Sequence, residues 1–394
     1  MTPAERILGK ALAASPMKSA DWSSVQAGLR DRAFFSATVD DARRLAVMRE
    51  AVAKVAAGDL SESQARLAIR EALAQTGYTP PQGKEGGLQD LSSQRRLDLI
   101  IQTNVAEARG YVRYLEGTSE GALAAFPCQE LVRTQNRRAP RNWPEIWKGH
   151  GGRLYGSGRM IALKTDEIWT AISRFGHPWP PFDFNSGMGL RDVGRREAIR
   201  YGVIAADDPP PKPPKNPNFN ENLAERLPEG KEREMDPFLR AAFGSQISID
   251  GNNMARWNAG LLRQMHEGAG PAEAVLGKGR FNPAMLAKIS DPAARERAAK
   301  NGLTITRDWM ETHGTKHEAP KGTVNLPLSV GDYELIPSLW RSPDTATWQE
   351  KGAYGRLELT LETLDGNALV LGVNLANITP TTFYKTTARA PSPA

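Results

Sequence analysis

Residues 304–394 hold side chains that can move protons and neutralise phosphate: His313, Lys316, His317, Arg341, Arg356, the Thr379-Pro-Thr-Thr382 cluster and Lys385. Cleavage of RNA at a 2′-hydroxyl needs a general base and a general acid, often histidine. It also needs cations against the charge that builds on the phosphate, and a hydroxyl can add a hydrogen bond. Every type is present, but spacing along the chain does not show that they converge. The same residues also read as the polar side chains of a small sheet.

A second concentration lies upstream. Between Leu131 and Lys164 there are eight cations (Arg133, Arg137, Arg138, Arg141, Lys148, Arg153, Arg159 and Lys164) against one anion, Glu145, a local balance of +7. This exceeds the +6 of the whole chain. With Trp143 and Trp147 interleaved, the run fits a surface that contacts phosphates or faces an acidic protein ring. It fits as well a solvated loop whose arginines pair with carboxylates elsewhere. No helix-turn-helix or finger pattern frames the cations, so base-specific readout is not implied. His150 and His177, with Asp183 nearby, match no metal-ligand spacing, so no metal and no cofactor is expected. Cys128 is the single cysteine, which excludes an internal disulfide and a cysteine-based zinc site. Pro178–Gly189 is a rigid aromatic loop suited to packing or docking.

The elements that must position these residues change character along the chain. Leu45, Met48, Val52 and Val55 recur at helical spacing, Gly58 ends that helix, and Ser61 with Gln64 forms a capping box opening a second helix towards Gly77 and Pro80-Pro81. Leu97, Ile101, Val105, Ala108, Val112 and Leu115 line one face of a longer helix from about Ser93 to Glu116. From Phe126 to Gly202 the periodicity weakens and Trp, Pro, Gly and Arg become dense, which predicts loops with short helices, and Arg191–Arg200 recovers a helix. Pro209–Pro217 holds six prolines and is a stiff spacer of roughly 25–30 Å at about 3.1 Å per residue. Residues 221–301 read as broken helix. Beyond Thr304 the period becomes that of strands at 323–326, 356–364 and 368–375, with Asp365-Gly366-Asn367 as a hairpin turn.

The expected fold is therefore a mainly α N-terminal part with irregular loops, followed by a small α+β C-terminal module with an antiparallel sheet. The expected domains are an N-terminal helical region (1–90), a central domain (91–206), a Pro-rich linker (207–220), a helical connector (221–303) and the α+β module (304–394). A length of 394 residues, with 40% hydrophobic and 24% charged residues, disfavours wholesale disorder and a membrane protein. No apolar run approaches the roughly 20 residues that span a bilayer, and neither a signal peptide nor a membrane partner is expected.

Several strings carry a resemblance: Arg96-Leu-Asp-Leu-Ile-Ile-Gln-Thr-Asn-Val-Ala-Glu-Ala-Arg-Gly-Tyr111, Arg141-Asn-Trp143, Gly151-Gly152, Ala162-Leu-Lys-Thr-Asp166 and Pro180-Pro-Phe-Asp-Phe-Asn-Ser-Gly187. Over roughly residues 30–205 the chain resembles the phage head morphogenesis family, the Mu-type F-like minor head proteins. That resemblance makes 91–206 the head-morphogenesis domain. It implies a minor capsid protein inside the virion near the portal, with portal and capsid proteins and packaged DNA as partners, and the host cytoplasm as the place of assembly. Many relatives close the domain with a cysteine-containing motif; this chain has Phe184-Asn-Ser-Gly187, so no metal is carried over. Residues 304–394 resemble the phage-associated barnase–EndoU–colicin–RelE-like nuclease modules. By that resemblance His317 is the acid/base, Arg356 and Lys385 hold the scissile phosphate and Thr382 orients it. The module is then a metal-independent ribonuclease or toxin-like effector with RNA as substrate.

Overall fold

The computed structural model describes residues 1–215, 223–258, 260–267, 275–310, 324–350, 355–363 and 365–387. The chain is a mixed α/β protein with several antiparallel sheets, divided into two compact units, Met1–Lys10 with Val47–Phe219 and Ala11–Ala46 with Asn220–Ala394. This corrects the sequential partition, in which residues 1–90 formed one region. Strand Ala11–Leu12 pairs with Ala33–Phe34. Met17, Val25 and Leu29 share a core with Leu239, Phe243 and Trp257. Burial of those apolar side chains, not nearness in sequence, assigns residues 11–46 to the C-terminal half.

In the first unit, the hairpin helices and the long helix form as the capping signals imply. Gly58, with φ of +90°, follows helix Ala42–Ala57. Ser61 and Gln64 close a reciprocal capping box on helix Glu62–Gln75. Ser93 accepts from the Arg96 amide at 3.1 Å and opens helix Gln94–Gly117. Helices Pro3–Leu8 and Glu62–Gln75 both pack on that long helix.

The 126–202 stretch is not a set of loops. It contains a four-stranded antiparallel sheet ordered Leu154–Tyr155, Arg159–Leu163, Cys128–Arg133, Met188–Val193. Leu131, Met160, Ala162 and Met188 pack with Trp143, Trp147, Trp169 and Phe182 on one face. Cys128, Ile161 and Val193 pack with Ala198 and Ile204 on the other. A sheet covered on both faces has no reason to alternate apolar with polar residues, and these strands do not. That is why the period-2 signal is missing.

In the second unit, the stretch expected as helical connector holds a three-stranded sheet ordered Leu223–Arg226, Met254–Trp257, Ile247–Ile249, and strand Val275–Gly279 pairs with Leu303–Thr306. Strands of three to five residues are too short to show a period above the background of turns. The terminal antiparallel sheet is five-stranded, ordered Asn325–Leu326, Thr379–Thr387, Asn367–Asn374, Arg356–Glu362, Thr345–Gln349. Its hairpin turns at Gly366, φ +77°, where only glycine avoids a Cβ penalty. Leu357, Leu359, Leu361, Leu369, Leu371 and Phe383 form its buried face. Among the described residues no helix is long and apolar enough to cross a membrane.

Candidate functional site

The eight cations of the basic run do not form one surface. Arg159 lies on the sheet face that carries Ile161, where Nη2 meets Glu130 Oε2 at 2.6 Å and Nη1 meets Glu197 Oε1 at 3.0 Å. The hydrogen bonds that Arg159 donates to Glu130 are the main reason its guanidinium is held above its ordinary value. Lys164 is 3% exposed, paired to Asp192 at 2.7 Å and donating to Gly117 O at 3.1 Å. It thereby caps the C-terminal end of helix Gln94–Gly117, where a cation is favoured by the helix dipole. Assigning Arg159 and Lys164 to a nucleic-acid surface is therefore corrected: both are committed to internal carboxylates and carbonyls. Lys148 pairs with Glu145 at 2.6 Å on an exposed helix face. Arg141 pairs with Asp183 at 3.0 Å and donates to Phe184 O at 3.1 Å.

Among the described residues, Arg133, Arg137, Arg138 and Arg153 have no carboxylate partner. Arg133 is exposed at the end of the central strand and donates to Arg141 O at 3.4 Å. Arg137 donates to Gln135 Oε1 at 2.6 Å, and Arg138 is exposed. Arg153 is exposed, its guanidinium carbon 5.2 Å from the centre of the Tyr155 ring. The loop that carries Arg137 is held by Gly187, whose carbonyl accepts from the amides of Thr134 and Gln135 at 2.9 and 3.1 Å. Gly187 has φ of +67°, and a Cβ there would lie 2.6 Å from Gln135 O and 3.0 Å from Arg137 Cγ. Only glycine permits this approach.

A second group of residues is one that spacing could not bring together. Glu107, on the long helix, is buried; Oε1 accepts from Arg6 Nη2 at 2.6 Å, Arg6 Nε at 3.1 Å and Trp179 Nε1 at 3.2 Å, while Oε2 accepts from Lys10 Nζ at 2.8 Å. Arg6 is 0% exposed, with its guanidinium carbon 3.7 Å from the Tyr111 ring centre. Burial alone would push the Glu107 carboxyl up, but the charges of Arg6, Lys10 and His177 and the Arg6 hydrogen bond hold it well below the usual range. His177 is stacked on Trp179, ring centres 4.6 Å apart and 2° from parallel. His150 is exposed, with Nδ1 2.9 Å from Ile146 O.

Phe184 of the aromatic loop gathers beside Arg141 with Arg174 and Phe175, two residues that were not singled out from sequence. Phe175 stacks on His177 at 5.7 Å and meets Phe184 at 4.8 Å and 86°, and the Arg174 guanidinium carbon lies 5.5 Å from the Phe184 ring centre. The only trace in the sequence is the pair Arg174-Phe175 followed by Phe184 in a Gly/Pro-bounded loop.

In the terminal sheet, Arg356 Nη2 donates to Thr382 Oγ1 at 2.7 Å. The guanidinium crosses the intervening strand at Gly372, where a Cβ would clash with it and fall 2.6 Å from Thr382 Oγ1. Lys385 is not part of this group. From Gly372↔Thr382 to Leu369↔Lys385 the register is unbroken, so Thr382 and Lys385, three residues apart, lie on opposite faces. Lys385 is buried, with Nζ 3.1 Å from Asp332 Oδ1 and 3.1 Å from Asp365 Oδ2. Burial would lower its ammonium, but the hydrogen bonds it donates to Asp365 and Asp332, and their negative charge, raise it. His317, with His313 and Lys316, lies outside the described residues. The four-residue catalytic set is thus corrected for Lys385, which is a structural ion-pair partner. The Arg356–Thr382 pair can hold one anionic oxygen, with Glu358 3.7 Å from the guanidinium. No family model matches this chain, and neither a curated protein nor a solved structure matches it.

Proposed function

We propose that this chain is a phage minor head protein acting in head morphogenesis, placed inside the capsid near the portal. There Arg133, Arg137, Arg138 and Arg153 face the phosphates of packaged DNA. The placement rests on the motif series from Arg96 to Gly187. The DNA contact rests on one observation, that these four cations have no carboxylate partner among the described residues while their neighbours in the run are paired. Contacts of this kind are electrostatic and indifferent to sequence. Portal and capsid proteins are the remaining partners, and assembly takes place in the host cytoplasm. Among the described residues the terminal sheet assembles no ribonuclease site, because Lys385 lies on the face opposite Arg356 and Thr382.

Duplex binding by the full chain tests the proposal. Four phosphate contacts give a slope of about −3.6 in log affinity against log salt, which is about a 150-fold loss between about 50 and 200 mM salt. Replacing all four arginines by Gln should flatten that dependence. Absent binding, or a slope that the substitutions leave unchanged, overturns the DNA contact. Mass spectrometry of gradient-purified particles tests the placement: the chain should be incorporated in low copy relative to the major capsid protein. Absence from both procapsids and mature heads refutes it.

A further inference from the structure

The corner made by Arg174, Phe175 and Phe184 has the parts of a base-stacking platform. Trp179, His177 and Phe175 form a nearly parallel pile, with ring centres 4.6 and 5.7 Å apart and planes within 2° and 18°. Phe184 continues it edge to face at 4.8 Å, and the Arg174 guanidinium lies over Phe184 at 5.5 Å. The pile begins in the interior, where Trp179 Nε1 donates to the buried Glu107. It ends in solvent, since the Arg174 side chain is 55% exposed. Its outer end is fixed by backbone: the Arg174 amide donates to Phe182 O at 2.8 Å, and Arg141 Nη2 donates to Phe184 O at 3.1 Å. Asp183 sets both cations, 3.0 Å from Arg141 and 3.7 Å from Arg174, and leaves the pair with one net positive charge. Arg133 adds another beside Arg141.

We infer that this corner stacks an unpaired base of single-stranded DNA on the Arg174–Phe184 surface while Arg133 holds the adjoining phosphate; the inference rests on the DNA reading above. Aromatic rings and guanidinium planes stack any base, because every base has a π face, and cations beside them track the backbone. Bases in a duplex already stack on each other and offer no free face. The corner therefore favours a single strand, whereas Arg138 and Arg153 serve either form. A pile anchored at its buried end loses little freedom when a base is added.

The test is fluorescence anisotropy of the full chain at one fixed ionic strength, with labelled oligothymidine of about 12 nucleotides and a blunt duplex of the same length. The wild type should bind the single strand. Phe184→Leu keeps apolar volume and removes the ring; it should weaken single-strand binding about five- to tenfold and leave duplex binding within about twofold. Phe184→Tyr should restore the wild-type value. Arg174→Lys, which keeps the charge and loses the plane, should reproduce the selective loss and guards against a Phe184 variant that fails to fold. Equal losses for both ligands in Phe184→Leu and Arg174→Lys, or no loss in either, overturn the platform. Binding of duplex but not single strand by the wild type overturns it while leaving the DNA reading intact, and binding of neither overturns both.

Discussion

Replacing Glu107 by Gln should destabilise the first unit strongly, because the carboxylate faces two buried cations. Arg6 Nη2 and Lys10 Nζ approach it at 2.6 and 2.8 Å, with side-chain exposures of 0% and 6%. A Gln Oε1 can still accept from Arg6 and Trp179, but its NH2 would then confront the Lys10 ammonium, donor against donor. Breaking a buried ion pair by neutralising one side costs about 3–5 kcal/mol, more than a surface pair ever contributes. For a unit of this size that lowers Tm by about 6–20 °C. Chemical and thermal denaturation followed by far-UV circular dichroism would measure it. The interaction can be isolated with Arg6→Met, which removes the partner cation: the double variant should be less destabilised than the sum of the singles by at least about 1 kcal/mol. The pH dependence has a defined sign. The folded carboxyl is held below its unfolded value of about 4.3, so the unfolded state binds more protons at intermediate pH. The stabilisation is present above about pH 4.3 and is lost as pH falls through the depressed folded value. Wild type should therefore lose more stability than Glu107→Gln on acidification. A loss under about 1 kcal/mol, additive single variants, or parallel acid profiles would refute the role given to this network.

Gly110→Ala tests the contact between the long helix and the aromatic loop. Alanine is better than glycine in a helix by about 1 kcal/mol, but a Cβ here would run into Pro180 O and lie 3.2 Å from Trp179 Cδ1. Net destabilisation of about 1–3 kcal/mol in urea melts is expected, and stabilisation would show that the loop can move away. Lys385→Met should destabilise the terminal sheet by about 3 kcal/mol, since it strands the buried Asp332 carboxylate. The folded ammonium is raised, so its contribution is present below the unfolded value of about 10.4 and is lost as pH rises through the folded value. The gap between wild type and variant should close in alkaline melts, and a gap independent of pH would refute the ion-pair account.

The long helix was legible because its burial follows a 3.6-residue period: Leu97, Ile101, Val105 and Ala108 are all buried as expected. Glu107, Gly110 and Tyr111 on the same helix were not. Their roles depend on Arg6 and Lys10 about a hundred residues before, and on Trp179 and Pro180 about seventy residues after. A periodicity argument assigns a glutamate to solvent by default, because it sees no partner that would make burial tolerable. The charge run failed for a related reason. The window from Leu131 to Lys164 begins one residue after Glu130, which neutralises Arg159, and excludes Asp183, Asp192 and Glu197, which take Arg141, Lys164 and Arg159. Net charge over a window measures a segment; the field a ligand meets depends on what the fold places beside it.

Among the C-terminal candidates, by contrast, a constraint already present in the chain sets Lys385 apart from Thr382. Side chains of a strand alternate, so residues an odd number apart on an uninterrupted strand cannot serve one site on one face. Thr382 and Lys385 are three apart. The sheet irregularity falls between Gly372 and Val373 on the neighbouring strand, opposite Pro380–Thr382, and the pairing from Thr382 to Lys385 is regular. Parity therefore holds where it is needed: Thr382 faces Arg356 across Gly372, and Lys385 turns to Asp332. A catalytic set on this sheet would have to draw its second cation from the Arg356 side, where, among the described residues, Glu358 lies 3.7 Å from the guanidinium and has the wrong sign. Composition supplied every residue type the reaction needs, and the two-residue repeat of the strand sets Lys385 apart from Arg356 and Thr382.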